Sequence, residues 1–107
     1  KMRGLAVTSE KRSALAPEGP AIAEELPGYE LIAWFALMAP AGTPRAVADR
    51  LNAEITKVVN RADVKKTWAE QGAVPMTMTV PEFEKYLHAD IAKWAKVVKI
   101  SGARADQ

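Results

Sequence analysis

The chain has 107 residues, a length that suits one domain with a single modest core and is too short for two independent lobes. Its 15 Lys and Arg against 13 Asp and Glu leave a net charge of +2, and this scattered, nearly balanced charge argues against a nucleic-acid partner. The absence of cysteine excludes disulfides, thiolate nucleophiles and sulfur metal ligands, and no apolar run approaches the ~20 residues of a membrane-spanning helix.

The first third of the chain predicts two strands separated by a long connection. Residues 5–7 are apolar and lie between Gly4 and Thr8, which predicts a short buried strand. Residues 10–30 are punctuated by proline and glycine, so we expect a surface connection with one short helix over residues 21–26. Residues 31–39 are almost continuously apolar, as is typical of a central strand that is buried on both faces.

Residues 40–71 predict two closely joined helices. Residues 40–44 end the central strand, and we expect Thr43 to cap a helix whose first turn contains Pro44. Apolar residues at three- and four-residue spacing then predict an amphipathic helix to about residue 60. A shorter helix over about residues 63–71 should end at Gly72, whose backbone can enter the left-handed region.

The remainder predicts an edge strand and a last helix. Pro75 cannot donate to an interior ladder, so residues 74–78 are expected at a sheet edge. Thr79 and Glu82 form a capping box for a helix over about residues 81–100, ending at Gly102.

The resulting order, β-loop-β-α-α-β-α, indicates an α/β protein. Two strands and an edge strand make a poor sheet, because a buried central strand needs further parallel neighbours. The chain also begins at Lys1 without an initiator methionine or a signal-sequence pattern. We therefore expect residues 1–107 to be one segment of a longer protein, with residues 10–30 as a connection and residues 43–102 as a mainly helical part.

Several short motifs follow one another along almost the whole chain. They include LAVTSEKR at residues 5–12, LPGYE at 26–30, APAGTP at 39–44, PEF at 81–83 and IAKW at 91–94. This ordered set closely resembles the Bug-type receptors of tripartite tricarboxylate transporters. Two departures lie in the connection: Pro20-Ala21 stands where such receptors usually have Pro-Thr, and Glu24-Glu25 is a shortened form of the usual Glu-Ala-Gly.

The resemblance implies a periplasmic-binding-protein type II-like fold, of which this chain is the C-terminal portion and mostly one lobe. It also implies a periplasmic receptor, exported by a signal upstream of this segment. Such a receptor captures a small carboxylate between two lobes and delivers it to membrane permease subunits, without a cofactor. A carboxylate is held by backbone N–H groups and hydroxyls, which match its acceptor oxygens.

Four residues are candidates for ligand binding. Thr8 and Ser9 end the first predicted strand, and ligands of open α/β sheets favour the carboxyl ends of strands. Ordinary turn chemistry is the competing interpretation for both. Trp34 and Phe35 alternate along the second predicted strand, so at most one of them can line a cleft, and core packing is the alternative.

No set of residues predicts catalysis or metal binding. His88 is the only histidine, and with no cysteine beside it a metal site is not expected. Glu24 and Glu25 are adjacent rather than converging, and no nucleophile has a base and an orienting group. We therefore predict a protein that is not an enzyme.

Two other classes of function stay open at this level. The closely joined helices and the sequence pI near 9.0 allow a nucleic-acid-binding or ligand-sensing regulatory domain, with Lys65, Lys66, Thr67 and Gln71 on the second helix. A third interpretation is a protein–protein module whose exposed apolar surface drives assembly into a homo-oligomer.

Overall fold

The computed structural model of the chain describes residues 2–104, and these residues form two compact units that divide between Met38 and Ala39. We call residues 2–38 the N-unit and residues 39–104 the C-unit. The N-unit contains a 3-10 helix, Ile22–Glu24, and the C-unit contains α1 (Arg45–Val59), α2 (Ala62–Glu70) and α3 (Val80–Ser101).

The N-unit is closed by one parallel bridge between Val7 and Ala21. The Val7 N–H donates to the Pro20 carbonyl at 2.9 Å, and the Ile22 N–H donates to the Val7 carbonyl at 3.0 Å. Ala21 is only 2% exposed, and it is the one fully buried hydrophobic residue in the part of the chain that the structure describes. The intervening residues 8–20 therefore form a loop whose two ends are fixed side by side.

The strands predicted over residues 5–7, 31–39 and 74–78 are absent from residues 2–104, where the Val7–Ala21 bridge is the only β pairing. The α/β order is thus wrong in its strands. The physical reason is visible at residues 31–39, where apolar side chains face solvent: Phe35 is 98% exposed and Leu37 is 78% exposed. An apolar run predicts burial, but a strand forms only where a neighbour accepts its backbone hydrogen bonds.

The three helices of the C-unit agree with their predicted ranges within one or two residues. The α3 capping box is confirmed: Thr79 Oγ1 accepts from the Glu82 N–H at 3.4 Å, and Glu82 Oε2 accepts from the Thr79 N–H at 2.8 Å. Gly72 and Gly102 follow α2 and α3 with φ of 76° and 67°, conformations that favour glycine.

The predicted role of Thr43 as a helix cap is wrong. The N-cap of α1 is Pro44, and its carbonyl accepts from the N–H groups of Val47 and Ala48. Thr43 lies one residue too early, and its Oγ1 instead donates to the Pro40 carbonyl at 2.8 Å, which closes the turn before the helix.

Helix α1 packs against both α2 and α3 within the C-unit. Asn52 strengthens this arrangement, because its Nδ2 donates to the Met78 carbonyl at 2.9 Å and so ties α1 to the residues that precede α3. None of the three helices contains a fully buried residue, and Leu51 of α1 and Ile91 of α3 are about half exposed. Among the described residues, no helix is both long enough and apolar enough to cross a membrane.

We expect Thr79→Ala to weaken the first turn of α3 by about 1 kcal/mol, because the substitution removes one partner of the capping box. In the protein that carries this chain, amide hydrogen exchange of the first turn should accelerate about fivefold. Thr77→Ala, two residues earlier and outside the box, is the matched control. Equal exchange in the two variants would contradict the role of the cap.

Candidate functional site

Thr8 and Ser9, two of the four candidate residues, directly follow the bridged residue Val7. Thr8 is exposed, and its carbonyl accepts a hydrogen bond from the Leu31 N–H at 2.9 Å. Ser9 is half-buried, and its Oγ donates to the Lys11 carbonyl at 2.7 Å. Thr8 is therefore held through its backbone, whereas the side chain of Ser9 braces the turn.

The two hydroxyls differ in what they can offer to a ligand. A carboxylate only accepts hydrogen bonds, and a serine or threonine hydroxyl has one proton to donate. The proton of Ser9 is committed to Lys11, so Ser9 could bind a carboxylate only by breaking this bond. The exposed Thr8 hydroxyl is the better donor of the two. In the described N-unit, the N–H groups of residues 8–12 also make no hydrogen bond to a backbone carbonyl.

Arg12 and Glu24 form an ion pair that ties the loop to the 3-10 helix. Arg12 Nε lies 2.7 Å from Glu24 Oε1, and a second nitrogen of the same guanidinium lies 2.8 Å from Oε2. Glu24 Oε1 also accepts from the Ala21 N–H at 2.9 Å. These hydrogen bonds from Arg12, and then from Ala21, lower the pKa of the Glu24 carboxyl to about 2.

Trp34 and Phe35 differ in exposure, as expected for neighbours that point to opposite sides of the backbone. Trp34 is half-buried, whereas Phe35 is 98% exposed. Core packing is therefore wrong for Phe35 in this structure. The hydrogen bond from the Leu31 N–H to the Thr8 carbonyl brings the backbone just before these aromatic residues to Thr8.

Metal ligands do not gather in the described residues: nowhere in 2–104 do three or more His, Cys, Asp or Glu side chains meet in a geometry that would hold an ion. His88 lies on α3, within the C-unit. Two open depressions occur on the C-unit. One is lined by Asn60, Lys65, Ala69, Ala73, Val74 and Pro75, and the other by Thr77, Met78, Glu82, Lys85, Tyr86 and Ala89.

The start of α2 is poorly suited to the nucleic-acid interpretation. Arg61 precedes the helix, and its guanidinium pairs with both carboxylate oxygens of Asp63, at 3.1 and 2.7 Å. Asp63 in the first turn thus neutralises Arg61, the cation nearest to the start of α2. In a helix-turn-helix protein, this end of the second helix would face DNA.

The ion pair of Arg12 and Glu24 was not predicted from the sequence. The sequence does carry a signal for one part of this arrangement, the bond between Glu24 and the Ala21 N–H, because Glu24 stands three residues after Ala21, as in a capping box. However, Ala21 has no hydroxyl to complete that pattern, and the sequence carries no sign that Arg12 would reach across 12 residues.

A family model described as "Tripartite tricarboxylate transporter family receptor" matches residues 1–103. The chain therefore belongs to this family of transport receptors, and its resemblance to Bug-type receptors is confirmed.

Individual relatives agree with this assignment. The chain is 36% identical to the UPF0065 protein in the tcbD-tcbE intergenic region of Pseudomonas sp. strain P51, over 92% of this chain and 30% of that protein. It is 35% identical to Protein BugT of Bordetella pertussis, over 96% of this chain and 32% of that protein. The chain thus spans about a third of the length of these relatives.

A solved structure is also similar. The structure described as "R. palustris Rpa4515 with adipate" matches with a TM-score of 0.78 and 35% identity, over 92% of this chain and 33% of that chain. The fold of the present chain therefore matches part of that structure, which is consistent with the partial binding-protein fold expected from the sequence.

The low pKa of Glu24 predicts a pH-dependent contribution to stability. Its folded pKa of about 2 lies below the ordinary value of 4.5, so the contribution is fully present above pH 4.5 and is lost as the pH falls toward 2. Because both side chains of the pair are about half exposed, solvent screens the interaction and the effect should be small. Melting temperatures from pH 6 to 2 should show the wild type slightly above Glu24→Gln at pH 6, with the difference disappearing near pH 2. The matched control is Glu25→Gln, which leaves the Arg12–Glu24 pair intact. A constant difference between wild type and Glu24→Gln would contradict this account.

Proposed function

We propose that the protein carrying this chain is a periplasmic solute receptor that captures a small carboxylate and delivers it to the permease subunits of a tripartite transporter. The observation that carries the proposal is the family match over residues 1–103. The similar solved structure, which is described as being with adipate, supports a carboxylate as the ligand. In this proposal the protein is a binding protein rather than an enzyme.

The chain would supply the C-terminal portion of a two-lobed receptor, which is consistent with its share of about a third of its relatives. The ligand would be a di- or tricarboxylate, an amino acid or a related organic acid. The remaining donors to the ligand would come from other parts of such a receptor.

Within this chain, Thr8 is the residue that we assign to the ligand, as a hydroxyl donor to a carboxylate oxygen. Its exposure and its position after the bridged Val7 support this role. Ser9 would keep the turn in shape through its bond to Lys11. Phe35, with its ring open to solvent, would contact the methylene groups of the acid, whereas Trp34, on the other side of the backbone, would pack within the N-unit.

Ligand binding is tested by the melting temperature of the protein that carries this chain, measured with adipate and a panel of other small acids. An acid that binds the native state raises this temperature, because it stabilises folding by about 2.7 kcal/mol at a concentration of 100 times Kd. Adipamide is the matched control, since it has the same carbon chain and no carboxylate. The proposal fails if no acid in the panel produces a rise.

The role of Thr8 is tested with Thr8→Val, which keeps the shape of the side chain and removes the hydroxyl. We expect a 10- to 100-fold higher Kd for the acid that binds, since a hydrogen bond to a charged group contributes about 1.5–3 kcal/mol. Thr43→Val is the control, because that hydroxyl is engaged with Pro40 in the C-unit. Equal affinities for the two variants would remove Thr8 from the site.

A further inference from the structure

We infer that Arg12 and Glu24 are positioning residues for ligand capture: their ion pair holds residues 8–11 in the conformation that presents Thr8 to the ligand. This inference rests on the proposed function. Neither side chain needs to touch the ligand. The geometry that supports this inference is that of a short segment, residues 8–11, which is anchored at both ends.

The first anchor is the bridge at Val7, with its two hydrogen bonds to Pro20 and Ile22. The second anchor is Arg12, whose guanidinium binds both oxygens of Glu24. Only residues 8–11 lie between these points. Their conformation is restricted further within the segment, where the Ser9 hydroxyl donates to the Lys11 carbonyl.

The two anchors are joined on the opposite side of the loop. Ala21, the bridge partner of Val7, donates its N–H to the same Glu24 oxygen that accepts from Arg12 Nε. Ala21 is buried, so this side of the frame has little freedom. Val7, Arg12, Glu24 and Ala21 thus form a closed ring together with the backbone of residues 8–11.

The exposure of the pair separates a positioning role from a role in overall stability. The side chains of Arg12 and Glu24 are 53% and 42% exposed, and ion pairs this exposed contribute little to folding. A bidentate guanidinium–carboxylate pair nevertheless fixes the orientation of the two side chains that it joins, because two parallel hydrogen bonds define a plane. The exposed pair Arg45–Asp49 differs, since it joins neighbouring turns of α1, whose backbone is already fixed.

Fixing residues 8–11 before the ligand arrives has a defined kinetic consequence. If the segment is competent to bind for only a fraction of the time, the apparent affinity falls by that fraction. The loss then appears in the association rate, whereas the dissociation rate, set by contacts in the bound state, is unchanged. Substitution of a residue that touches the ligand would instead raise the dissociation rate.

The experiment uses stopped-flow binding of adipate, or of the panel acid that raises the melting temperature, to the full-length protein. Arg12→Gln should lower the association rate on the order of tenfold and leave the dissociation rate within twofold of wild type. Arg12→Lys keeps the positive charge but lacks the planar guanidinium that binds both oxygens of Glu24, so we expect it to resemble Arg12→Gln. Arg45→Gln removes a similarly exposed, paired arginine and should bind as wild type does.

A second measurement requires no ligand. In the unliganded protein, Arg12→Gln should increase the nanosecond backbone mobility of residues 8–12, measured as lower NMR order parameters, and leave the order parameters of α1 to α3 unchanged. Unchanged order parameters at residues 8–12 would overturn the inference. So would a Kd change that arises only from faster dissociation, or a wild-type association rate in Arg12→Lys. If the wild type binds no acid, the proposed function fails instead, and the order parameters still show whether the pair orders the segment.

Discussion

The N-unit depends on the parallel bridge between Val7 and Ala21. Two hydrogen bonds and the burial of one small side chain hold the ends of a 13-residue loop together. A bulky residue at position 21 would not fit this arrangement, because Ala21 is only 2% exposed. Within the N-unit, Thr8 and the turn at Ser9 take their position from this bridge.

The C-unit is organised by a different principle. Its helices begin and end through local chemistry, such as the capping box of Thr79 and the left-handed glycines after α2 and α3. These signals lie within a few residues of the helix ends, and the sequence therefore predicts the helix bounds closely. The one error among the predicted helix caps, at Thr43, arose because Pro44 itself occupies the capping position.

The strands and the ion pair could not be predicted in the same way, because each needs a partner that is distant in the chain. The apolar residues 31–39 indicate burial without saying against what, and Phe35 is almost wholly exposed in the described structure. Arg12 and Glu24 meet only because the bridge brings the two sides of the loop together. Thr8 and Ser9 were found as candidates from their position after an apolar run, but the sequence alone could not distinguish their hydroxyls.

The difference between the hydroxyls of Thr8 and Ser9 limits how this chain can recognise an acid under the proposed function. The Ser9 hydroxyl donates to the Lys11 carbonyl within the turn. Of the two hydroxyls, the one on Thr8 can therefore donate to a ligand without breaking this bond. A single hydroxyl with a few backbone N–H groups cannot match the acceptors of two carboxylates. The selectivity of the loop would therefore come from where it holds its donor, and that position is set by four residues that need not touch the ligand: Val7, Arg12, Ala21 and Glu24.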